Sequence, residues 1–264
     1  CIWMPERANP KVSSGRTINP IYASRLTNSL HHAEMIFCFS EKDRTWLAAR
    51  GNKSKEYITV IHAAPSAAAA PLSLAGKDRV KQEYTRGMEY FFTDAASAGE
   101  EQILHLLKAF SLFKKRQLSN LQLAITGTPS PGLQIKLQTY KYRQDVHWFD
   151  PAAAGTLLAA AYAALFPFED DSLGAPLLDA WKTGVPALVP KDGLLHEMAG
   201  DAALPAVAED PVAFAGYMMS VYKDEGLRSE LIGRGFTRLS AFDPAQTLAD
   251  IRTAVGKMSG CSIQ

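Results

Sequence analysis

EYFFTDAASAGEEQILHLLKAFSLFKKRQLSNLQLAIT, residues 89–126, reads as one β-α-β unit. Glu89-Tyr-Phe-Phe-Thr93 reads as a strand. Gly99 to Lys115 follows with Ile103, Leu106, Leu107, Phe110 and Phe113 on one stripe, which predicts an amphipathic helix. Leu121 to Thr126 is the second strand, and Gly127 ends it. A strand, a crossing helix and a strand imply a parallel pair with a right-handed connection.

The alternation extends both ways. Upstream, Asn19 to Ala64 reads as helix, strand (Met35 to Phe39), helix and strand (Tyr57 to Ile61). The second of these helices is capped by Ser40 and closed by Gly51. The small, proline-bounded stretch His62 to Pro71 reads as linker, and a charged helix covers Asp78 to Tyr84. Downstream come strands at Val146–Phe149, Ala163–Phe168 and Val185–Val189. Helices are expected at Ala152–Tyr162, Pro176–Thr183, Asp210–Lys223 and Leu227–Leu239. The fold class is therefore α/β, a doubly wound parallel sheet preceded by an incomplete N-terminal α/β portion. Residues 1–64 form that portion, 65–75 the linker, 76–252 the main domain and 253–264 a tail. Ligands of such sheets bind at the carboxyl ends of the strands, so the loops at 94–99, 127–132, 169–174 and 190–195 should line the site.

Composition narrows the function. Lys and Arg number 28 against 27 Asp and Glu, so no net positive field is available to hold nucleic acid. Three scattered cysteines, Cys1, Cys38 and Cys261, make neither a disulfide framework nor a cysteine zinc site. No apolar run reaches membrane-span length. The six histidines lack HxxH or HExxH spacing, and neither GxSxG nor GxxxxGK[ST] occurs. The opening CIWMPERANP reads like the interior of a protein, so upstream sequence, self-association or a partner is expected to cover the faces of residues 20–61.

The stretch from Phe166-Pro-Phe-Glu-Asp-Asp-Ser-Leu-Gly-Ala-Pro176 through Asp179-Ala-Trp-Lys-Thr-Gly-Val-Pro-Ala-Leu-Val189 resembles the donor segment of retaining GT-B glycosyltransferases of the group 1, or family 4, type. The likeness continues through Glu197 to Ala203, Glu209 to Pro211, Leu227 to Gly235 and Phe242 to Thr247. It implies transfer of a sugar, with retention, from a nucleotide-diphosphate donor to an acceptor glycan or lipid. It implies no cofactor and no metal, and Asp170-Asp171 is not read as a DxD metal motif. A cytoplasmic location is implied, with peripheral attachment to the inner membrane face left open.

Counted from Pro176, the family's paired glutamates fall on Asp171 and Asp179, each one methylene shorter. The resemblance gives Asp171 the catalytic place facing the sugar, with Glu169 as a weaker substitute, and gives Asp179 the ribose. The diphosphate would lie over Ser172, Leu173 and Gly174 at the head of the Pro176 helix, with Gly127 close by. A loop of free N–H groups before a helix suits an anion, and glycine lets a ligand approach the backbone. The plainer alternative is an ordinary helix start with favourable acids near it.

Two departures from the family stand out. Its Arg and Lys, which clamp the diphosphate, align with an alanine or serine and with Glu101, leaving Arg86, Lys191 or a partner to supply a cation. Its N-terminal domain is larger than residues 1–64. A sugar-nucleotide binding or scaffold module in polysaccharide assembly is the rival reading.

Overall fold

The computed structural model describes residues 2–3, 20–96, 98–167, 173–206 and 210–259. It divides into two units, one of Cys1–Ala64, Asp171–Gly174 and Ala241–Gln264, the other of Pro65–Asp170 and Ala175–Ser240.

The first unit is built from β1 (Ile2–Trp3), α1 (Pro20–His32), β2 (Ile36–Cys38), α2 (Glu41–Gly51), β3 (Ile58–Val60) and the C-terminal helix Pro244–Ser259. Its three strands are parallel in the order β1-β2-β3, with Ile36 opposite Ile2 on one side and Ile58 on the other. Because side chains alternate across a strand, β2 has two apolar faces. Ile36 and Cys38 pack with Leu26, Leu30, Leu47 and Ile58, mostly from α1 and α2. Met35 and Phe37 pack with Ala254, flanked by Ile61, Ile251 and Val255. The expectation that residues 35–39 would be left exposed is thus corrected. The C-terminal helix returns to cover that face, and it absorbs most of the stretch expected as a tail. Asp43 N–H donates to the Ser40 hydroxyl at the head of α2 (2.9 Å), but the left-handed closing residue is Asn52 rather than Gly51.

The second unit runs α3 (Leu74–Thr85), β4 (Tyr90–Asp94), α4 (Glu100–Gln117), β5 (Gln122–Thr126), α5 (Pro131–Gln138), β6 (Val146–Phe149) and α6 (Ala154–Ala160). It continues with β7 (Ala163–Leu165), α7 (Ala175–Lys182), β8 (Ala187–Pro190), α8 (Leu194–Ala199), β9 (Ala203–Ala206), α9 (Pro211–Lys223) and α10 (Glu225–Leu239). Its six strands are all parallel, in the order β6-β5-β4-β7-β8-β9. One face buries Phe91, Leu123, Ile125 and Val146 under Ile103, Leu106, Phe110 and Phe113 of α4 and Phe214 and Met218 of α9. On the other face Tyr90, fully buried, donates its hydroxyl to the Leu157 carbonyl of α6 (2.7 Å).

Several element bounds differ from the sequence reading for local reasons. α3 begins at Leu74, inside the expected linker, because the Ser73 hydroxyl accepts from Gly76 N–H (3.1 Å) and starts the helix early. α5 was not expected, yet it carries a serine cap at Ser130 followed directly by Pro131. Strand β7 ends at Leu165, short of the expected Phe168. No helix among the described residues is long and apolar enough to cross a membrane.

Candidate functional site

Strand order locates the site. From β4 the chain steps outward to β5 and β6, then returns to place β7 on the other side of β4. The crevice beyond the carboxyl ends of β4 and β7 is the switch point where such sheets bind ligands.

At the β4 end, the Asp94 carboxylate accepts from the Thr126 hydroxyl (2.9 Å) and from Ala96 N–H (3.1 Å). This ties the loop after β4 to the end of β5. Gly127 sits beside that loop with φ +125°, and a Cβ there would lie 3.4 Å from the Ala95 carbonyl carbon. Glycine is needed there for its backbone angle, while the contact itself is an ordinary one.

At the β7 end, Leu165, Phe166 and Pro167 are buried. Asp171 and Ser172, like Glu169, lie outside the described residues. Leu173 and Gly174 both take left-handed angles, φ +58° and +82°, before α7 starts at Ala175. Among described non-glycine residues, the other three with positive φ, Asn52, Arg86 and Leu118, each close a helix. Leu173 instead leads into one. A leucine in this region costs on the order of 1–3 kcal/mol, a kind of strain that clusters at ligand sites. No residue in the first turn of α7 is acidic, so its amide end faces no carboxylate of its own helix.

Asp179 was expected in that first turn. Because α7 begins at Ala175, one residue earlier than expected, Asp179 falls in the second turn instead. Its Oδ1 accepts from Ser66 N–H (2.6 Å), and Lys182 Nζ donates to the Ser66 carbonyl (2.9 Å). The two side chains hold the linker residue Ser66 by its N–H and its carbonyl. Partial burial raises the Asp179 pKa, opposed by the Ser66 hydrogen bond and the Lys182 charge. Its Oδ2 makes no hydrogen bond to a described residue.

The head of α4 holds two acids, Glu100 and Glu101. Glu100 accepts from Ser130 Oγ (2.6 Å) and pairs with Lys136 Nζ (2.8 Å), contacts that hold its pKa below the usual carboxylate range. A Cβ on Gly132 would come within 2.9 Å of its Oε2, so the packing there is close. Sequence reasoning missed this cluster, although the Ser130-Pro131 helix start was a readable signal. Glu101 remains exposed in the first turn. Of the cations considered from sequence, Arg86 closes α3 ahead of β4, at the amino end of that strand, and so lies at the wrong edge of the sheet. Lys191 directly follows β8 at the carboxyl end and is exposed. His196 is exposed on α8, whose final carbonyls are held from α10: Arg238 Nε donates to Met198 O (2.8 Å). Trp148 packs on the main core, and Phe149 meets Tyr84 edge to face. No group of three or more His, Cys, Asp or Glu among the described residues could hold a metal ion.

Comparison with known proteins agrees with this architecture. The chain is 24% identical over 224 residues to O-antigen chain mannosyltransferase B of Escherichia coli, covering 82% of this chain and 59% of that protein. It thus spans somewhat over half the length of that relative. Among solved structures it resembles a glycosyltransferase from Rickettsia africae ESF-5, with a TM-score of 0.76 at 12% identity over 92% of this chain and 68% of the other. It also resembles Anabaena Alr3699/HepE in complex with UDP and glucose, with a TM-score of 0.72 at 13% identity over the same shares. At such identities these likenesses speak for the fold. The family profile of glycosyl transferases group 1 matches residues 75–238, well over half of the chain and nearly all of the second unit. With the switch-point crevice, the glycine-led head of α7 and that match in hand, the chain belongs to the group 1 glycosyl transferases, with the GT-B fold.

Proposed function

We propose that the protein transfers a sugar, with retention of configuration, from a nucleotide-diphosphate donor to a glycan acceptor. The observation that carries this reading is the left-handed Leu173-Gly174 pair leading into an acid-free first turn of α7 at the switch point. Such a head presents unpaired amides and the positive end of a helix dipole to a diphosphate. In transfer, the leaving diphosphate gains negative charge as the glycosidic bond breaks. Fixed amides aimed at that charge supply the electrostatic stabilisation that such a step needs. Ser172, Leu173 and Gly174 hold the diphosphate in this reading, Asp171 faces the sugar, and Asp179 offers its Oδ2 to the ribose while Oδ1 keeps Ser66. The UDP and glucose bound by Anabaena HepE and the mannosyl transfer named for the Escherichia coli relative support a nucleotide-sugar donor.

One observation favours a second reading. Glu101 stands exposed at the head of α4, where the family resemblance calls for a cation. A module that binds sugar nucleotides without turning them over fits that feature.

The two readings separate in one assay. The chain is incubated with UDP- and GDP-sugars and candidate glycan acceptors, and products are followed by NMR of the anomeric signals. Transfer with retained configuration supports the enzyme, and Asp171→Ala should then lower transfer more than nucleotide binding. Binding without transfer supports the module. Absence of nucleotide binding overturns both.

A further inference from the structure

Residues 65–71, Pro-Ser-Ala-Ala-Ala-Ala-Pro, carry one hydroxyl and no long side chain, so they have little of their own to bury. The segment is fastened by its backbone instead. Ser66 N–H donates to Asp179 Oδ1 (2.6 Å), and the Ser66 carbonyl accepts from Lys182 Nζ (2.9 Å). The same carbonyl accepts from Ala69 N–H (3.2 Å), and the Ser66 hydroxyl accepts from Ala68 N–H (3.2 Å). The nitrogen and both oxygens of Ser66 are thus all engaged, in a tight turn seated on α7. All of these residues lie in the second unit.

Asp179 and Lys182 stand three residues apart on α7, which puts them on one face. A cation in the last turn of a helix also offsets the dipole, but that role needs no direction. Here the ammonium is aimed at one carbonyl. Lys182 makes no direct ion pair with Asp179; it acts on that carboxylate through Ser66. The consequence falls on the second carboxylate oxygen. The last torsion of an aspartate is broad, so a free carboxylate turns readily. With Oδ1 fixed on Ser66, the carboxylate plane is set and Oδ2 is held in one place. An acceptor already in place meets a ribose hydroxyl without freezing a rotor on binding.

We propose that Lys182 is a positioning residue for the nucleotide: it holds Ser66, and Ser66 in turn fixes Asp179 for the ribose hydroxyls. This rests on the reading of Asp179 as the ribose acceptor. The test is calorimetric titration of the full chain with whichever of UDP and GDP binds, and with its 2′-deoxy and 3′-deoxy analogues. The parent should prefer the ribonucleotide over at least one analogue by about tenfold, as expected for loss of a hydrogen bond to a charged acceptor. Asp179→Ala should abolish the preference. Lys182→Met should reduce it to about threefold or less, and Lys182→Arg, which still donates to a carbonyl, should restore most of it. A cation that merely attracted the diphosphate would, when removed, weaken every ligand alike and leave the preference unchanged. Amide exchange at Ser66, read without nucleotide, should quicken in Lys182→Met while the melting transition stays cooperative. A preference kept in full by Lys182→Met, or an unchanged exchange rate at Ser66, overturns the proposal alone. A parent that binds neither nucleotide, or tells none of the analogues apart, overturns the reading of Asp179 and the proposal with it.

Discussion

Two glycines two residues apart on α10 should respond to alanine with opposite signs. Gly235 is buried against Trp181 of α7, and a Cβ there would lie 2.5 Å from Trp181 Cδ1 and 2.9 Å from Cγ. Ordinary contact between carbons is about 3.5–4 Å, so roughly 1 Å of movement is needed. Trp181 is 1% exposed and cannot swing into solvent. Forcing a methyl into such packing costs typically 1–3 kcal/mol. Replacing glycine by alanine in a helix returns about 1 kcal/mol. The net for Gly235→Ala is a loss of up to about 2 kcal/mol, and a second unit of this size should melt up to several degrees lower. Gly233 has nothing within 4 Å of its virtual Cβ. Gly233→Ala therefore keeps the helix gain, and the protein should be more stable by roughly 0.5–1 kcal/mol. Urea and thermal unfolding, read by circular dichroism, measure both. A double-mutant cycle with Trp181→Leu should show the Gly235→Ala penalty shrinking once the ring is gone. Equal, stabilising shifts from both glycines would refute the argument that Gly235 exists to let α10 close on α7.

Three other outcomes follow from the same contacts. Lys114 is 7% exposed and donates to the Ser119 (2.5 Å) and Leu121 (3.1 Å) carbonyls while pairing with Asp145 (3.1 Å), so Lys114→Met should cost about 2–3 kcal/mol in urea titrations. Burial pushes the Cys38 thiol up to about 12, so native protein should resist thiol reagents at pH 8. Above pH 9 the unfolded chain ionises this thiol while the folded chain keeps its proton, so stability should fall between pH 9 and about 12, and Cys38→Ala should flatten that fall. Glu101→Lys should tighten binding of nucleoside diphosphate in calorimetry by removing one repulsion and adding one attraction at the head of α4, and unchanged affinity would separate that helix from the ligand.

The second unit was largely legible because its signals are local. Short strand-like runs at 90–94 and 122–126, and the stripe through Ile103, Phe110 and Phe113, mark a buried parallel pair and its helix. What sequence reading lost depended on distant contacts. Nothing near Met35 or Phe37 announces that residues 251–255 will cover them, so half of the small sheet looked bare. Asp179 looked like a first-turn acid because a proline favours the start of a helix, whereas this helix starts one residue ahead of Pro176, at Ala175. Its bond to Ser66 joins residues far apart in the chain, which no spacing rule reveals. Glu100 and Glu101 look alike in sequence, and only the fold brings Ser130 and Lys136 to one of them.

The claim on which the account turns is that a nucleoside diphosphate lies over Leu173 and Gly174 at the head of α7. Calorimetric titration of UDP and GDP into the chain and into Gly174→Val tests it most directly. Gly174 holds φ +82°, and valine there both strains the backbone and sets a branched side chain where the phosphates would approach. The account predicts saturable binding of at least one nucleotide by the parent, and at least a tenfold loss in the variant with its melting transition still cooperative. Equal affinity in parent and variant, or no binding by the parent at millimolar nucleotide, would contradict it.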